Sequence, residues 1–253
     1  MATNRSYDDL CGVARGLDLV GERWALLVVR ELLLGPKRFT DLHSDLAGIS
    51  TNVLTNRLEE LEDSGILRRR RLPPPAGSAV YELTSWGLEL DPIVCRLGRW
   101  ALGAPGGPRG SHLSATAMAL SLRTMFDPKA AGSRSGRYEL ELADQRFDAE
   151  VSDAGVAGAE FTIGRAIEHT AAGRSGGEQP AGLPAEELPV GVDAAIRVQP
   201  VTLSGVVYGG QDLDRTIRSG RLVVRGDRSA VAWFVTLFSL PEPAVSPKSR
   251  ARR

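Results

Sequence analysis

"NVLTNRLEELEDSGILRRRR", residues 52–71, carries leucines at helical spacing up to a glycine and then sets four arginines, Arg68 to Arg71, in an extended segment. Leu54, Leu58 and Leu61 stand at i, i+4 and i+7, so one helix face is apolar and Thr51, Asn52, Thr55, Asn56 and Glu59 take the other. Ser50 is placed to cap this helix and Gly65 to stop it. Just upstream, "FTDLHSDL" puts Phe39, Leu42 and Leu46 on one face, and "AGIS" turns tightly around Gly48. Two helices joined by so short a turn form a helix-turn-helix. Downstream, "ILRRRRL", the "PPPAGS" turn and "AVYELT" read as strand, tip and returning strand, the wing of a winged helix. A charge run by itself is most often a solvated face; beside a helix-turn-helix it acquires a use.

That use is DNA contact. Asn, Thr and Ser have the size and hydrogen-bonding character to meet base edges, and the positive N-terminus of a helix favours a phosphate. The acidic cluster Glu59, Glu60, Glu62 and Asp63 lies toward the far end of the same helix, where an N-terminal approach to the groove keeps it from phosphates. Side chains alternate along a strand, so at most two of the four wing arginines share a face. The candidate DNA contacts are Lys37 and Arg38 ahead of the first helix, Ser50, Thr51, Asn52, Thr55, Asn56 and Arg57 on the second, and Arg68, Arg69, Arg70 and Arg71 on the wing. Phosphate contacts supply affinity and the polar helix face supplies discrimination.

Composition sets the frame. The chain has 253 residues, 42% hydrophobic and 25% charged, which is globular in class and long enough for two domains. Net charge is +0, so no global field draws it to nucleic acid and any polyanion site is a local patch. The N-terminal "MATNRSYDDL" does not read as a secretory signal and no apolar run approaches a membrane span, so a cytoplasmic protein with no membrane partner is expected. Two cysteines, Cys11 and Cys95, lack CxxC spacing and the three histidines are scattered, so neither a disulfide framework nor a metal site is expected. No nucleophile elbow, P-loop or dinucleotide fingerprint is present; no catalytic residue, no cofactor and no enzymatic activity are expected.

The boundaries follow from punctuation. "GAPGGPRGS" cannot sustain helix or strand. The expected organisation is a winged helix-turn-helix, mainly α, over 1–102; a linker over 103–112; a second domain over 113–243; and a disordered tail over 244–253. "AAGRSGGEQPAGLPAEELPVG", 171–191, is a long loop or lid inside the second domain. That domain opens with the helix "HLSATAMALSLRTMFDP", after which the period becomes two: Tyr138, Leu140 and Leu142, then Phe147, Ala149 and Val151, an antiparallel hairpin with one wet face. Three more strands and three short helices make it α+β, a helix-covered antiparallel sheet.

Residues 11–90, with Cys11, Trp24, Gly35, "KRF" at 37–39, "GIS", "VLTNRLEELEDSGI" and "YELTSWG" at 81–87, resemble the HxlR-type winged helix-turn-helix regulators of bacteria. The resemblance implies a homodimer built from terminal helices, here the one near Tyr7 to Val20 and "ELDPIVCRLGRWAL", whose Leu90, Val94, Leu97 and Trp100 suit an interface. Glu22-Arg23 departs from the Gly-Lys pair that commonly precedes the tryptophan. Residues 194–238, in their order of strand, helix, "SGRLVVRGD" strand and terminal helix, resemble the sterol-carrier-protein-like domains. This implies a cavity for a hydrophobic small-molecule effector, lined by Phe126, Phe147, Phe161, Ile196, Val198, Tyr208, Trp233, Phe234 and Phe238. Such side chains are also ordinary core. The leading expectation is a dimeric DNA-binding regulator, a repressor, controlled by that effector. Two alternatives stand beside it. One is thiol sensing of oxidants and electrophiles at Cys11, a use the HxlR resemblance implies, although a cysteine on an apolar helix face is usually a buried small hydrophobe. The other is a lipid-binding carrier whose winged helix does not bind DNA.

Overall fold

Ser50 starts the second helix of the motif as its sequence requires: the side-chain oxygen accepts from the Val53 N–H at 3.4 Å, and Gly65, at φ +73°, ends the element. The computed structural model describes residues 6–73, 77–105, 110–155, 158–166 and 188–244. In chain order the first helices are α1 (Gly12–Val20), α2 (Ala25–Leu32), α3 (Phe39–Asp45) and α4 (Thr51–Asp63). Leu54, Leu58 and Leu61 of α4 are buried against Val28, Val29 and Leu32 of α2 and Leu42 of α3. Gly48 takes a left-handed φ of +89° in the turn between α3 and α4, where a side chain would be strained. The helix α2 is shorter than the apolar run suggests, because Trp24 precedes it with φ 78° and interrupts the helical backbone.

The wing is β1 (Leu67–Arg71) paired antiparallel with β2 (Ala79–Leu83), Arg69 opposite Tyr81. Lys37 adds a third rung, exchanging backbone hydrogen bonds of 3.0 and 2.8 Å with Tyr81. Then come α5 (Ser85–Leu88), α6 (Asp91–Leu102) and α7 (Ala115–Met125). Leu90 and Val94, expected at an interface, pack against the core of this unit instead, while Ile93, Leu97 and Trp100 stand exposed. The "LTSWG" motif has a steric reason. Thr84 caps α5 and donates to the Gly65 carbonyl at 2.8 Å, and α5 approaches β1 so closely that a Cβ on Gly87 would lie 2.0 Å from the Ile66 carbonyl oxygen.

The chain divides into two compact units, Met1–Thr124 with Pro241–Arg253, and Met125–Leu240. The helix expected to open the second domain, from 113, therefore belongs almost wholly to the first. Leu120 of that helix joins the apolar core of the first unit, and a buried polar cluster holds its start. Lys37 is 1% exposed, and its ammonium donates to Glu31 Oε2 at 2.6 Å, to Thr116 Oγ1 at 2.9 Å and to the Asp45 carboxylate. Glu31 also accepts from Ser114 Oγ at 2.7 Å and from Arg30. Ser114 and Thr116 thus bring α7 into the first unit. The expected 103–112 linker is described only in part, since 106–109 lie outside the described residues, as does most of the 171–191 break. Of the 244–253 tail only Ala244 is described, its N–H donating to the Gly103 carbonyl at 2.8 Å.

The second unit comprises α8 (Pro128–Ala131), β3 (Gly136–Leu142), β4 (Gln145–Asp153), β5 (Ala159–Arg165), β6 (Ala194–Val198), α9 (Pro200–Val207), α10 (Leu213–Arg218), β7 (Leu222–Gly226) and α11 (Arg228–Phe234). Its sheet order is β5-β4-β3-β6-β7. The sheet is not wholly antiparallel: β3 and β6 run parallel, because the chain leaves the meander at one edge and re-enters beside β3. The hairpin registers as its alternation predicts, Leu140 opposite Phe147 and Tyr138 opposite Ala149, and these residues share the buried face with Phe161, Ile196 and Val198.

Gly87→Ala forces α5 off β1 and should lower stability by about 1–3 kcal/mol, read by urea unfolding. Lys37→Met strands two carboxylates and should cost about 3–5 kcal/mol in the same measurement. Burial pushes Glu31 upward, but the charges of Arg30 and Lys37 and the hydrogen bonds from Lys37 and Ser114 outweigh it and hold its carboxyl below the usual carboxylate range. Its stabilisation is therefore in place above the unfolded pKa of about 4.3 and lost as pH falls through the lower folded value. Wild-type stability should drop more steeply below about pH 4 than that of Glu31→Gln.

Candidate nucleic-acid interface

The face of α4 opposite its leucines is polar and uncharged where the helix begins. Ser50, Thr51, Asn52 and Asn56 are exposed and Thr55 is half-buried. Arg57, one turn further on, is committed within the protein: its side chain is 12% exposed, it pairs with Glu60, and it lies 3.9 Å from Glu22. The departure at Glu22 thus meets an arginine of the second motif helix. Glu62 accepts from the Arg69 N–H at 3.0 Å, tying the acidic end of α4 to the root of the wing.

The four wing arginines divide by face. Arg68 and Arg70 both bind Glu82, at 2.7 and 2.6 Å, so one carboxylate offsets one of their two charges. The hydrogen bond from Arg70 leads in holding the Glu82 carboxyl below its ordinary range; slight burial opposes it, and Arg68 adds to it. Arg69 and Arg71 occupy the other face, with the Arg69 guanidinium 5.9 Å from the Tyr81 ring centroid. All four remain exposed. Arg38 is exposed at the start of α3, where its N–H donates to Asp41 at 3.2 Å.

Lys37 is the correction. Its position beside Arg38 suggested a phosphate contact, but the ammonium is consumed by Glu31, Asp45 and Thr116 and does not reach the surface. Sequence reading missed these partners. The available signal was Glu31 itself, a carboxylate inside the apolar run "ALLVVRELLLG" that a buried helix tolerates only with a cation. Glu82, alternating with Val80 on the returning strand, was the corresponding signal for the wing.

Cys11 is exposed, not buried as a cysteine on an apolar helix face would be. It is the N-cap residue of α1, and backbone N–H groups of Val13 and Ala14 hold its thiol below the ordinary value. Around it Leu10, Val13 and Leu17 are exposed apolar residues.

In the second unit the structure brings Phe126, Phe161, Phe234 and Phe238 together, with ring centroids 5.1–6.2 Å apart. Phe147, Ile196 and Val198 are buried on the helix-covered face of the sheet. Trp233 is half-buried under Arg134, whose guanidinium lies 4.5 Å from its ring centroid, and Tyr208 is half-buried at the end of α9. Tyr138, not among the expected residues, packs tilted against Phe234 with ring centroids 4.5 Å apart and donates to the Ala230 carbonyl at 3.2 Å; burial foremost raises its phenol. Among the described residues no group of histidines, cysteines and acids could hold a metal, and no helix is long and apolar enough to cross a membrane.

The model of the HxlR-like helix-turn-helix matches residues 19–104, from the last residues of α1 through α6. The HTH-type transcriptional regulator YvaP of Bacillus subtilis, itself called uncharacterized, is 36% identical over 87 residues, covering 34% of this chain and 81% of that protein. The HTH-type transcriptional regulator YodB of the same organism is 36% identical over 83 residues, covering 33% and 74%. The solved reduced form of YodB covers 37% of this chain and 93% of its own at 33% identity, with a TM-score of 0.34. The second unit lies beyond the matched segment. Through its first unit the chain belongs to the HxlR-like helix-turn-helix family of transcriptional regulators.

Proposed function

We propose that this regulator is a homodimeric repressor that reads its operator with the N-terminal face of α4 and binds a hydrophobic small-molecule effector in its second unit. The observation that carries the DNA half is the juxtaposition of an exposed, uncharged Asn/Thr/Ser helix face with a wing still cationic after Glu82 is counted. Thr51, Asn52, Thr55 and Asn56 meet base edges, the α4 N-terminus and Ser50 meet a phosphate, and Arg38 and the wing arginines flank the backbone. Arg57 positions Glu60 and Glu22 instead of DNA. The dimer uses the exposed apolar residues of α1 and α6, among them Val13, Leu17, Leu97 and Trp100.

The effector half rests on the resemblance of residues 194–238 to the sterol-carrier-protein-like domains, in their order of strand, helix, "SGRLVVRGD" strand and terminal helix, and on the aromatic cluster of the same unit. Phe126, Phe147, Phe161, Ile196, Val198, Trp233, Phe234 and Phe238 line the site and Tyr208 orients the ligand. Binding acts by population shift, favouring the non-binding arrangement of the dimer. A second reading is favoured by one observation: Cys11 is exposed with a lowered pKa. Its thiolate would add to an electrophile and release the operator without the second unit.

Arg69→Ala with Arg71→Ala should reduce the slope of log affinity against log salt by about 1.8 on operator and random duplex alike. Thr55→Ala with Asn56→Ala should instead erase operator preference, about 1–3 kcal/mol per base contact, and leave the slope in place. For the effector, an apolar ligand at about 100 Kd should stabilise the full chain by roughly 2.7 kcal/mol and release DNA. Ala149→Leu, on the buried face opposite Tyr138, should abolish both effects, while Ala195→Leu, opposite Glu139 on the other face, should not. If a panel of lipids and aromatic metabolites does neither, and a quinone releases wild type but not Cys11→Ser, thiol sensing is the operating mechanism.

A further inference from the structure

The family match ends at residue 104, yet the first unit extends to Thr124. What the extension adds is specific. An ammonium has three protons, and Lys37 gives one each to Glu31, Asp45 and Thr116. Two of these acceptors lie within the winged helix; the third, Thr116, is 0% exposed and comes from α7. Ser114 makes a second buried link, donating to Glu31 at 2.7 Å, and His112 Nε2 makes a third, 2.9 Å from the Asp45 carbonyl oxygen. Asp45 is the last residue of α3 and stands five residues before the Ser50 cap of α4. The segment 112–116 therefore grips the motif at the entrance to its turn, by side chain and backbone together.

We propose that residues 112–116 clamp the helix-turn-helix and hold α4 in its operator-reading position, making the start of α7 a positioning element of the DNA interface. The proposal rests on the DNA-regulator reading above and adds to it a determinant outside the segment the family shares. Removing the Thr116 hydroxyl leaves a buried ammonium proton without its acceptor, and removing that of Ser114 leaves a Glu31 lone pair without its donor. Either loosens the Glu31–Lys37–Asp45 cluster and so the end of α3, without touching a residue that faces DNA. The chain passes from α7 into the second unit at Met125 and returns to the first at Pro241, so the clamp stands beside one of the two covalent connections between the units.

The test uses the full chain and a duplex selected from a random pool with wild-type protein, alongside an unselected duplex. Thr116→Val and Ser114→Ala are each expected to weaken the selected duplex about tenfold, leave the unselected one unchanged, and speed amide exchange over residues 46–56. Thr116→Ser, which restores the hydroxyl, should return affinity and exchange to wild type. If Thr116→Val does not fold, Ser114→Ala, which spares the ammonium, decides alone. Equal losses on both duplexes, or wild-type affinity in the folded variants, would overturn the clamp while leaving the regulator reading intact. A wild-type chain that enriches no sequence from the pool overturns the regulator reading itself, and the clamp with it.

Discussion

The Lys37 ammonium is the interaction on which the DNA-binding unit depends. It sits where the end of α2, the third rung of the wing sheet, the end of α3 and the start of α7 meet, and each contributes: Glu31, the Lys37 backbone, Asp45 and Thr116. Burying a carboxylate and a cation beside a second, partly exposed carboxylate gains little over apolar packing in net stability. It does impose geometry, because every proton of the ammonium has one acceptor and displacing any partner strands a charge. The apolar core around Leu54 and Val29 is held by shape alone, whereas this cluster adds directional bonds.

The rest of the interface is an economy of charge. A neutral chain needs a local cationic patch to bind DNA, and four adjacent arginines on a two-stranded wing would repel one another strongly if unrelieved. Alternation sends them to two faces, and Glu82 neutralises part of one face while its own proton affinity falls. The result is a wing cationic enough for phosphate contact and orderly enough to pair. The first turn of α4 carries no charged side chain, so its exposed groups offer hydrogen bonds and the partial positive charge of the helix end, while the formal charge stands on the wing.

Local rules made much of this legible. Leucine spacing, the Ser50 cap and the Gly65 stop marked α4; alternation marked both wing strands and the β3–β4 hairpin with its register. What escaped was non-local. Lys37 looked like a surface lysine because its neighbours Arg38 and Pro36 are loop residues, and its anions lie six and eight positions away on other elements, with Thr116 further still. The domain boundary shifted for the same reason: glycine and proline after residue 102 do break the chain, but a break in secondary structure is not a break in packing, and α7 returns to the first unit. The parallel β3–β6 pairing was equally hidden, since alternation fixes which face a residue takes and not which strand lies beside it.

Position, finally, decides what a small change at this cluster can do. One buried bond donated by an ammonium to a hydroxyl oxygen contributes about 1.5–3 kcal/mol, and coupling between sites in regulators typically amounts to about 1–3 kcal/mol. The link from Thr116 to Lys37 therefore has the magnitude of a regulatory coupling and not of a folding core, whose Leu-to-Ala losses are larger. Solvent does little to soften its loss: Lys37 is 1% exposed and Thr116 0%, so a proton of the ammonium deprived of the hydroxyl is left without its partner in the interior of the unit.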